Sequence, residues 1–247
     1  MEKKVFLIGE KSSLFISEDK DINTEFGIIK SAQLKKAKPG SIIKTHKGKK
    51  FFVVAPSTPD MFRKIIRLPQ IITLKDMGSI IMYGGVKSGS KVLEAGTGSG
   101  FSACVMASLV GESKVISYET RKDFIKVAKK NVSIFGLKNV DIINADIRKG
   151  SKFKDFDFVL LDIPDPWNAV KAVSKSMKIG ARLCSYSPSI IQIEKTIRAL
   201  PQELEVERLI NTDEKEWKVE LDRDILRPES SGIKHTAFLL FVRKTSR

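Results

Sequence analysis

The chain has 247 residues, of which 42% are apolar and 30% charged, with a formal net charge of +15. That size allows one good core and a small second domain, and no apolar run is long enough to read as a membrane span. The excess of Lys and Arg is greatest in residues 1–89, and a basic surface favours a polyanionic partner through counterion release, although a lysine-rich soluble protein would share this composition.

Residues 1–55 read as a small β-rich module. Charges run throughout residues 1–20, so no secretory leader is expected there. A strand over 5–8 ends at the turn residue Gly9, and short apolar runs follow at 14–16 and 25–29. Pro39-Gly40 is a turn signal. After it, 41–45 and 51–54 form a hairpin pattern joined by His46-Lys47-Gly48-Lys49-Lys50, a basic tip suited either to a phosphate backbone or to plain solvent. Residues 56–70 read as a linker punctuated by Pro56, Pro59 and Pro69, with a basic amphipathic turn over 61–68. The spacing of Leu74, Met77, Ile80 and Ile81 predicts a helix over 71–83, closed by Gly84-Gly85. Asp76 falls inside it as a surface or capping acid. The domains expected are therefore 1–68, small and β-rich, and 69–247.

From Lys91 onward strands and helices alternate. Strands are expected at 91–95, 114–118, 140–144, 157–161 and 182–186, and helices at 101–110, 121–135, 166–178 and 188–199. This pattern predicts an α/β fold with a parallel sheet and right-handed crossovers. Two more strands, 204–210 and 237–243, are expected to close as an antiparallel hairpin. The two cysteines, Cys104 and Cys184, lie in apolar runs; such usage suits a reducing cytoplasm and argues against a zinc site.

The strand at 91–95 runs directly into Gly96-Thr97-Gly98-Ser99-Gly100. Glycines there let the chain turn tightly and let a ligand approach the backbone. The spacing is not G-x-G-x-x-G and no Lys-Ser/Thr follows, which disfavours a dinucleotide site and a P-loop. An acid, Glu119, ends the next strand about 20 residues on, where a ribose diol would be gripped. Ligands of open α/β sheets bind outside the strands' carboxyl ends. Here Glu94, Glu119, Asp146 and Asp162 follow four consecutive strands. Clustered carboxylates repel, so a ligand rich in donors or positive charge is needed to offset them. S-adenosylmethionine (SAM), with its sulfonium, ammonium, ribose diol and adenine amine, meets that need. Glu119 would take the ribose hydroxyls and Asp146 the adenine amine, with Ile147 packed on the ring. Asp162 sits where the methyl group is delivered. The prolines of Asp162-Ile163-Pro164-Asp165-Pro166-Trp167 hold that segment extended, and Trp167 reads either as a flat wall for a planar substrate or as a core residue.

Several stretches resemble one family. Glu94-Ala95-Gly96-Thr97-Gly98-Ser99-Gly100 is similar to motif I of SAM-dependent methyltransferases. Leu161 to Trp167 resembles the D-L/I-P-x-P-W motif of the tRNA (adenine-N1)-methyltransferase (TrmI) family. Pro69 to Asp76 resembles that family's T-Q-I/V-I/L-Y-x-x-D segment, with Pro69 for its Thr and Thr73 for its Tyr. Leu226-Arg227-Pro228 and His235 to Leu239 resemble its R-P and H-T-x-F-L close, and His46-Lys47-Gly48 its N-terminal H-x-G turn. The resemblance, to the archaeal type, spans nearly the whole chain. It implies a Rossmann-like methyltransferase domain with a small N-terminal β domain, and methylation of N1 of adenine 58, and in archaeal members 57, in the T-loop of tRNA. It implies an enzyme that is typically a homotetramer; with the composition read above, a cytoplasmic protein with neither metal nor membrane partner is expected. The implied SAM-binding set is Gln70, Glu94, Gly96, Thr97, Gly98, Ser99, Gly100, Glu119, Asp146, Ile147 and Asp162, with Asp162 also catalytic.

Two other readings compete. A methyltransferase for a protein carboxylate or small molecule would share the cofactor site, but not the positive charge or the motif at Asp162. A non-catalytic RNA-binding scaffold subunit should have lost glycines or acids from the pocket, whereas Gly96, Gly98, Gly100, Glu119 and Asp162 are all present.

Overall fold

The computed structural model describes residues 4–10, 12–68, 70–229 and 235–246. Pro69, one of the expected linker prolines and the first residue of the segment that ends at Asp76, lies outside them. The chain divides into two compact units, Met1–Ile65 and Ile66–Arg247.

In the first unit, β1 (Lys4–Ile8), β2 (Ser13–Ser17), β3 (Ile22–Thr24) and β4 (Gly27–Ile29) precede a short helix α1 (Ser31–Lys35), then β5 (Ile42–Lys44), β6 (Lys50–Val54) and α2 (Thr58–Lys64). Four strands pair in the antiparallel order β2-β1-β6-β5, and β3-β4 form a separate hairpin. Alternation decides which face is buried: Phe51 and Val53 enter the core while Phe52 between them is exposed. Val5, Leu7, Ile29, Leu34 and Ile43 complete that core. The basic tip has a structural duty at its histidine. His46 Nδ1 accepts from the Ile28 amide at 2.7 Å, and the His46 amide donates to the Ile28 carbonyl at 2.9 Å, fastening β4. α1 has no amphipathic repeat and goes unseen in the sequence. α2 corrects the expected turn over 61–68. The Ser57 amide donates to the Asp60 carboxylate at 2.8 Å, which starts the helix earlier, and Pro59 is tolerated in a first turn.

The second unit holds α3 (Leu74–Gly84), β7 (Val92–Ala95), α4 (Phe101–Leu109), β8 (Val115–Glu119), α5 (Lys122–Ile134), β9 (Val140–Asn144), β10 (Phe156–Leu161), α6 (Val170–Ser174), β11 (Met177–Ser187), α7 (Ile190–Arg198), β12 (Leu204–Asn211), β13 (Trp217–Glu220), β14 (Ile225–Pro228) and β15 (Phe238–Lys244). Seven strands form one sheet in the order β12-β15-β11-β10-β7-β8-β9. From β9 to β11 all neighbours are parallel, and β15 is antiparallel to both β11 and β12. The central strands are buried on both faces, which is why they read as continuous apolar runs. Strand order reverses between β7 and β10, so their carboxyl ends flank the switch point where ligands bind such sheets.

Four expectations are corrected. α3 begins at Leu74, because Ile71 and Ile72 are buried in extended chain before it. The helix expected over 166–178 is a 3-10 turn, Pro166–Asn168, followed by the short α6. The Ser174 and Ser176 hydroxyls bond back to the carbonyls of Lys171 and Val173, and the chain then leaves as the long strand β11. β12 and β15 are antiparallel neighbours but not a hairpin, because the chain between them forms the separate pair β13-β14. Asp76 is neither surface nor simple cap: it is fully buried.

Candidate active site

The glycine turn after β7 is tied to both neighbouring strands. The Gly96 amide donates to the Tyr118 carbonyl at 3.0 Å, and the Asp162 amide donates to the Ala95 carbonyl at 2.9 Å. Gly96 has φ +94°, and a Cβ built there would lie 1.9 Å from the Asp162 carbonyl oxygen. Only glycine fits that crossing of backbones. At Gly100 (φ +79°) a Cβ would press on Ala128 of α5 at 3.0 Å, so this glycine lets the helix close in. The segment before α3 also seats on the turn: the Leu68 amide donates to Ser99 Oγ at 3.1 Å, and Asn131 of α5 donates to the carbonyls of Ile66 and Ser99 at 2.9 and 2.8 Å.

A cavity of about 660 Å³ opens over the carboxyl ends of the strands. Of the residues singled out in the sequence, Gln70, Gly96, Gly98, Glu119, Asp146, Ile147 and Asp162 line it. Glu94, Thr97, Ser99 and Gly100 do not; they brace the glycine turn from behind. Glu94 is fully buried and accepts from the Ser102 and Ser117 hydroxyls, and Thr97 Oγ1 lies 2.6 Å from Ser117 Oγ. Burial, which the two serines only partly offset, and the charges of Asp162 and Glu119 push the Glu94 carboxyl up to about 7.

Glu119 faces the cavity while its carboxylate is held by main chain. It accepts from the amides of Gly98 at 3.0 Å, Thr120 at 2.8 Å and Arg121 at 2.9 Å. Asp146 accepts from the Arg148 side chain and amide, which hold its carboxyl below the usual range. Asp162 differs from both. No hydrogen bond reaches its carboxylate among the described residues, and burial together with the nearby Glu119 charge pushes it up to about 7. It is an acceptor aimed into the cavity with no donor of its own.

Trp167 does not line the cavity. It lies partly buried in the 3-10 turn, with Lys195 Nζ 5.0 Å from its ring centre, while Gln192 Nε2 donates to the Pro164 carbonyl at 2.9 Å. The lining residues that the sequence reading did not single out include Arg121, Phe124 and Arg148, and Asp165 of the proline segment joins them at the cavity. The first two stack, with the guanidinium 3.7 Å from the ring centre. Their position just after the strand-ending Glu119 is the one signal that marks them.

The donor set fits SAM. A glycine turn open to close backbone approach, an acid braced by amides where a ribose would lie and an unpaired carboxylate within one cavity match the hydroxyls and positive charge of that molecule. Glu119, Asp146, Ile147 and the Gly96–Gly98 main chain would hold it. Sheet order, turn and acids together define a Rossmann-like SAM-dependent methyltransferase.

Residues 50–224 match the family described as the tRNA methyltransferase complex GCD14 subunit, and the chain belongs to that family. It is 32% identical to the tRNA (adenine(57)-N(1)/adenine(58)-N(1))-methyltransferase TrmI of Methanocaldococcus jannaschii, with 89% of this chain and 86% of the relative covered. It is 29% identical to the tRNA (adenine(58)-N(1))-methyltransferase TrmI of Thermus thermophilus, over 88% of this chain and 86% of the relative. Among solved structures it superposes on the tRNA (m1A58) methyltransferase TrmI of Aquifex aeolicus with a TM-score of 0.76 at 26% identity, covering 100% of this chain and 98% of that one. A Thermotoga maritima structure described as a SAM-dependent O-methyltransferase superposes with a TM-score of 0.83 at 34% identity, covering 100% and 94%.

Proposed function

We propose that this chain is a tRNA (adenine-N1)-methyltransferase that moves a methyl group from SAM to N1 of adenine 58 in the T-loop, with adenine 57 as a second target to be tested. The observation that carries the reading is Asp162, a half-buried carboxylate without a donor at the mouth of a SAM-type cavity, in a chain of this family. When bound, the cofactor supplies an activated methyl group on a sulfonium, so the protein has little acid–base work to do. Its main contribution is placement. N1 of adenine is a weak nucleophile, and methylation leaves the ring positively charged. Asp162, accepting from the exocyclic amine of the target base, would orient the ring and stabilise the charge as it develops. The target edge is normally engaged in RNA structure, so the nucleotide must be turned out into the pocket. Backbone contacts from the basic surface, chiefly of the N-terminal unit, would offset that cost.

The active form in this reading is a homo-oligomer, a tetramer, working in the cytoplasm. Trp217, Val219, Leu221 and Leu226 of the β13-β14 region are exposed apolar side chains that support self-association. No helix among the described residues is long and apolar enough to cross a membrane.

The test is incubation of the purified protein with labelled SAM and two tRNA transcripts, one carrying adenosine at position 58 and one uridine. Label on the first alone supports the reading. Equal label on both moves the target, with 57 examined next. No label on either, with SAM binding intact, overturns the tRNA assignment.

A further inference from the structure

Arg148 joins the segments that follow two strands lying apart in the sheet. β9 and β10 are separated by β7 and β8 in the strand order, a span of about 14 Å at the usual distance between strands. Arg148 stands in the 3-10 turn Ile147–Lys149 that follows β9. Its Nε donates to both Asp146 oxygens at 2.8 and 3.0 Å, and its Nη1 donates to Asp165 Oδ2 at 2.9 Å, in the proline-rich segment after β10. The turn after β9 and the segment after β10 also share one buried apolar cluster, through Ile147 on one side and Ala169, Val170 and Val173 on the other, so the guanidinium closes a contact that packing has already brought near. Asp146, Arg148 and Asp165 all line the same cavity.

The far end of the bridge is braced. Asp165 Oδ2 also accepts from Asn168 Nδ2 at 2.8 Å, and the adjacent Pro164 carbonyl accepts from Gln192 at 2.9 Å. The near end falls on the acid assigned to the adenine amine. A carboxylate offers about four acceptor sites, and Arg148 occupies three of those on Asp146 through its amide and its doubly shared Nε–H. An adenine amine that reaches Asp146 takes the remaining acceptor site beside the guanidinium, so the adenosine end and Asp165 are held through the same arginine. An isolated surface ion pair would have no such route between two ligand-facing loops.

We propose that Arg148 is a positioning residue, a strap in the wall of the cofactor cavity that slows release of the adenosine moiety and links its occupancy to the Ile163–Asp165 loop beside Asp162. This rests on the SAM site described above and does not depend on which RNA is methylated.

The test measures dissociation of SAM and of S-adenosylhomocysteine from the full chain without tRNA, in the unmutated protein, Arg148→Gln, Asp165→Asn and the double variant. Arg148 and Asp165 are partly exposed, so the variants should fold, and thermal unfolding checks this. Each single substitution is expected to speed release about two- to fivefold, the range of a partly exposed ion pair. The double variant is expected to release no faster than Arg148→Gln alone, because both changes cut the same strap. In steady state, KM for SAM should rise while KM for the RNA substrate stays put. Equal release rates in all four proteins overturn the strap. So do independent, multiplying effects of the two substitutions, which would leave Arg148 acting on Asp146 alone. Failure of the unmutated chain to bind SAM overturns the cofactor site itself, an outcome distinct from a strap that does not matter.

Discussion

Asp76, fully buried, and Asp162, half-buried at the cavity, are two carboxylates of the same unit with opposite fates. Asp76, in the first turn of α3, accepts from Thr73 Oγ1 at 2.9 Å, Lys75 Nζ at 3.0 Å, Tyr186 Oη at 3.1 Å, Thr236 Oγ1 at 2.6 Å and the Thr212 hydroxyl. Burial pushes its carboxyl up, but the bonds from Thr212, Thr236, Lys75 and Thr73 outweigh burial and keep it below the usual range. Asp162 meets burial and the Glu119 charge with no donor, and rises to about 7. The difference teaches where to look for chemistry. An acid whose partners are all its own side chains fastens the fold, and here Asp76 ties α3 to the ends of β11, β12 and β15. An acid left without partners in a cavity awaits them from a ligand.

Exchanging the two acids' chemistry gives the sharpest tests. Asp162→Asn removes the acceptor without changing size, and methyl transfer should fall by about 10²- to 10³-fold. Thermal unfolding should stay level or improve, since an unpaired, half-buried acid is lost. A stability loss instead would place Asp162 with Asp76.

Asp76→Ala should do the reverse. It leaves the amine of Lys75 and the hydroxyls of Thr73, Tyr186, Thr212 and Thr236 short of an acceptor, at a cost of about 3 kcal/mol in urea unfolding. The affinity for SAM in the protein that remains folded should change little. A large loss of SAM affinity with unaltered stability would move Asp76 into the site.

The smallest effect is in pH dependence, and its sign differs between the two acids. Asp162 and Glu94 have folded values near 7, above those of free carboxyls, so the stability linked to them is full at low pH and falls as pH rises toward 7. Asp76 is lowered, so its contribution is present above the unfolded value and is lost as pH falls through the folded one. Urea midpoints between pH 3 and 8 should therefore lose their acid limb in Asp76→Asn and flatten between pH 5 and 7 in Asp162→Asn. The same curve in both variants would erase the distinction. SAM should bind more tightly at pH 8 than at pH 6, because its positive charge favours the ionised acids.

Much of this was legible in the residues themselves. The parallel strands announced themselves as apolar runs because both faces are covered, and the glycine turn and strand-end acids carry spacing that chemistry imposes. The positions of Glu119, Asp146 and Asp162 at one cavity followed from that spacing. What escaped depends on partners distant in sequence. Asp76 looks like an ordinary helix acid until Thr212 and Thr236 arrive from the ends of two other strands. Arg148 looks like any surface arginine until Asp165 is brought opposite it. Glu94, conspicuous in the motif, turns inward to Ser102 and Ser117 because β7 is wedged between β8 and β10. α6 is short because two serine hydroxyls compete for its carbonyls, a contest that helix periodicity does not register.

The place of β15 has a consequence for how the protein is made. This strand is the latest in chain order among the seven of the large sheet, yet it lies between β11 and β12. On the ribosome β12 emerges well before β15 and has no neighbour to pair with, while β11 carries an open edge toward the same vacant slot. Domains assemble as units during synthesis, so this sheet can close only after the strand Phe238–Lys244 has left the exit tunnel. Until then the nascent chain exposes the two edges that β15 will cover, and a release or stall upstream of it would leave them open to strands of other chains.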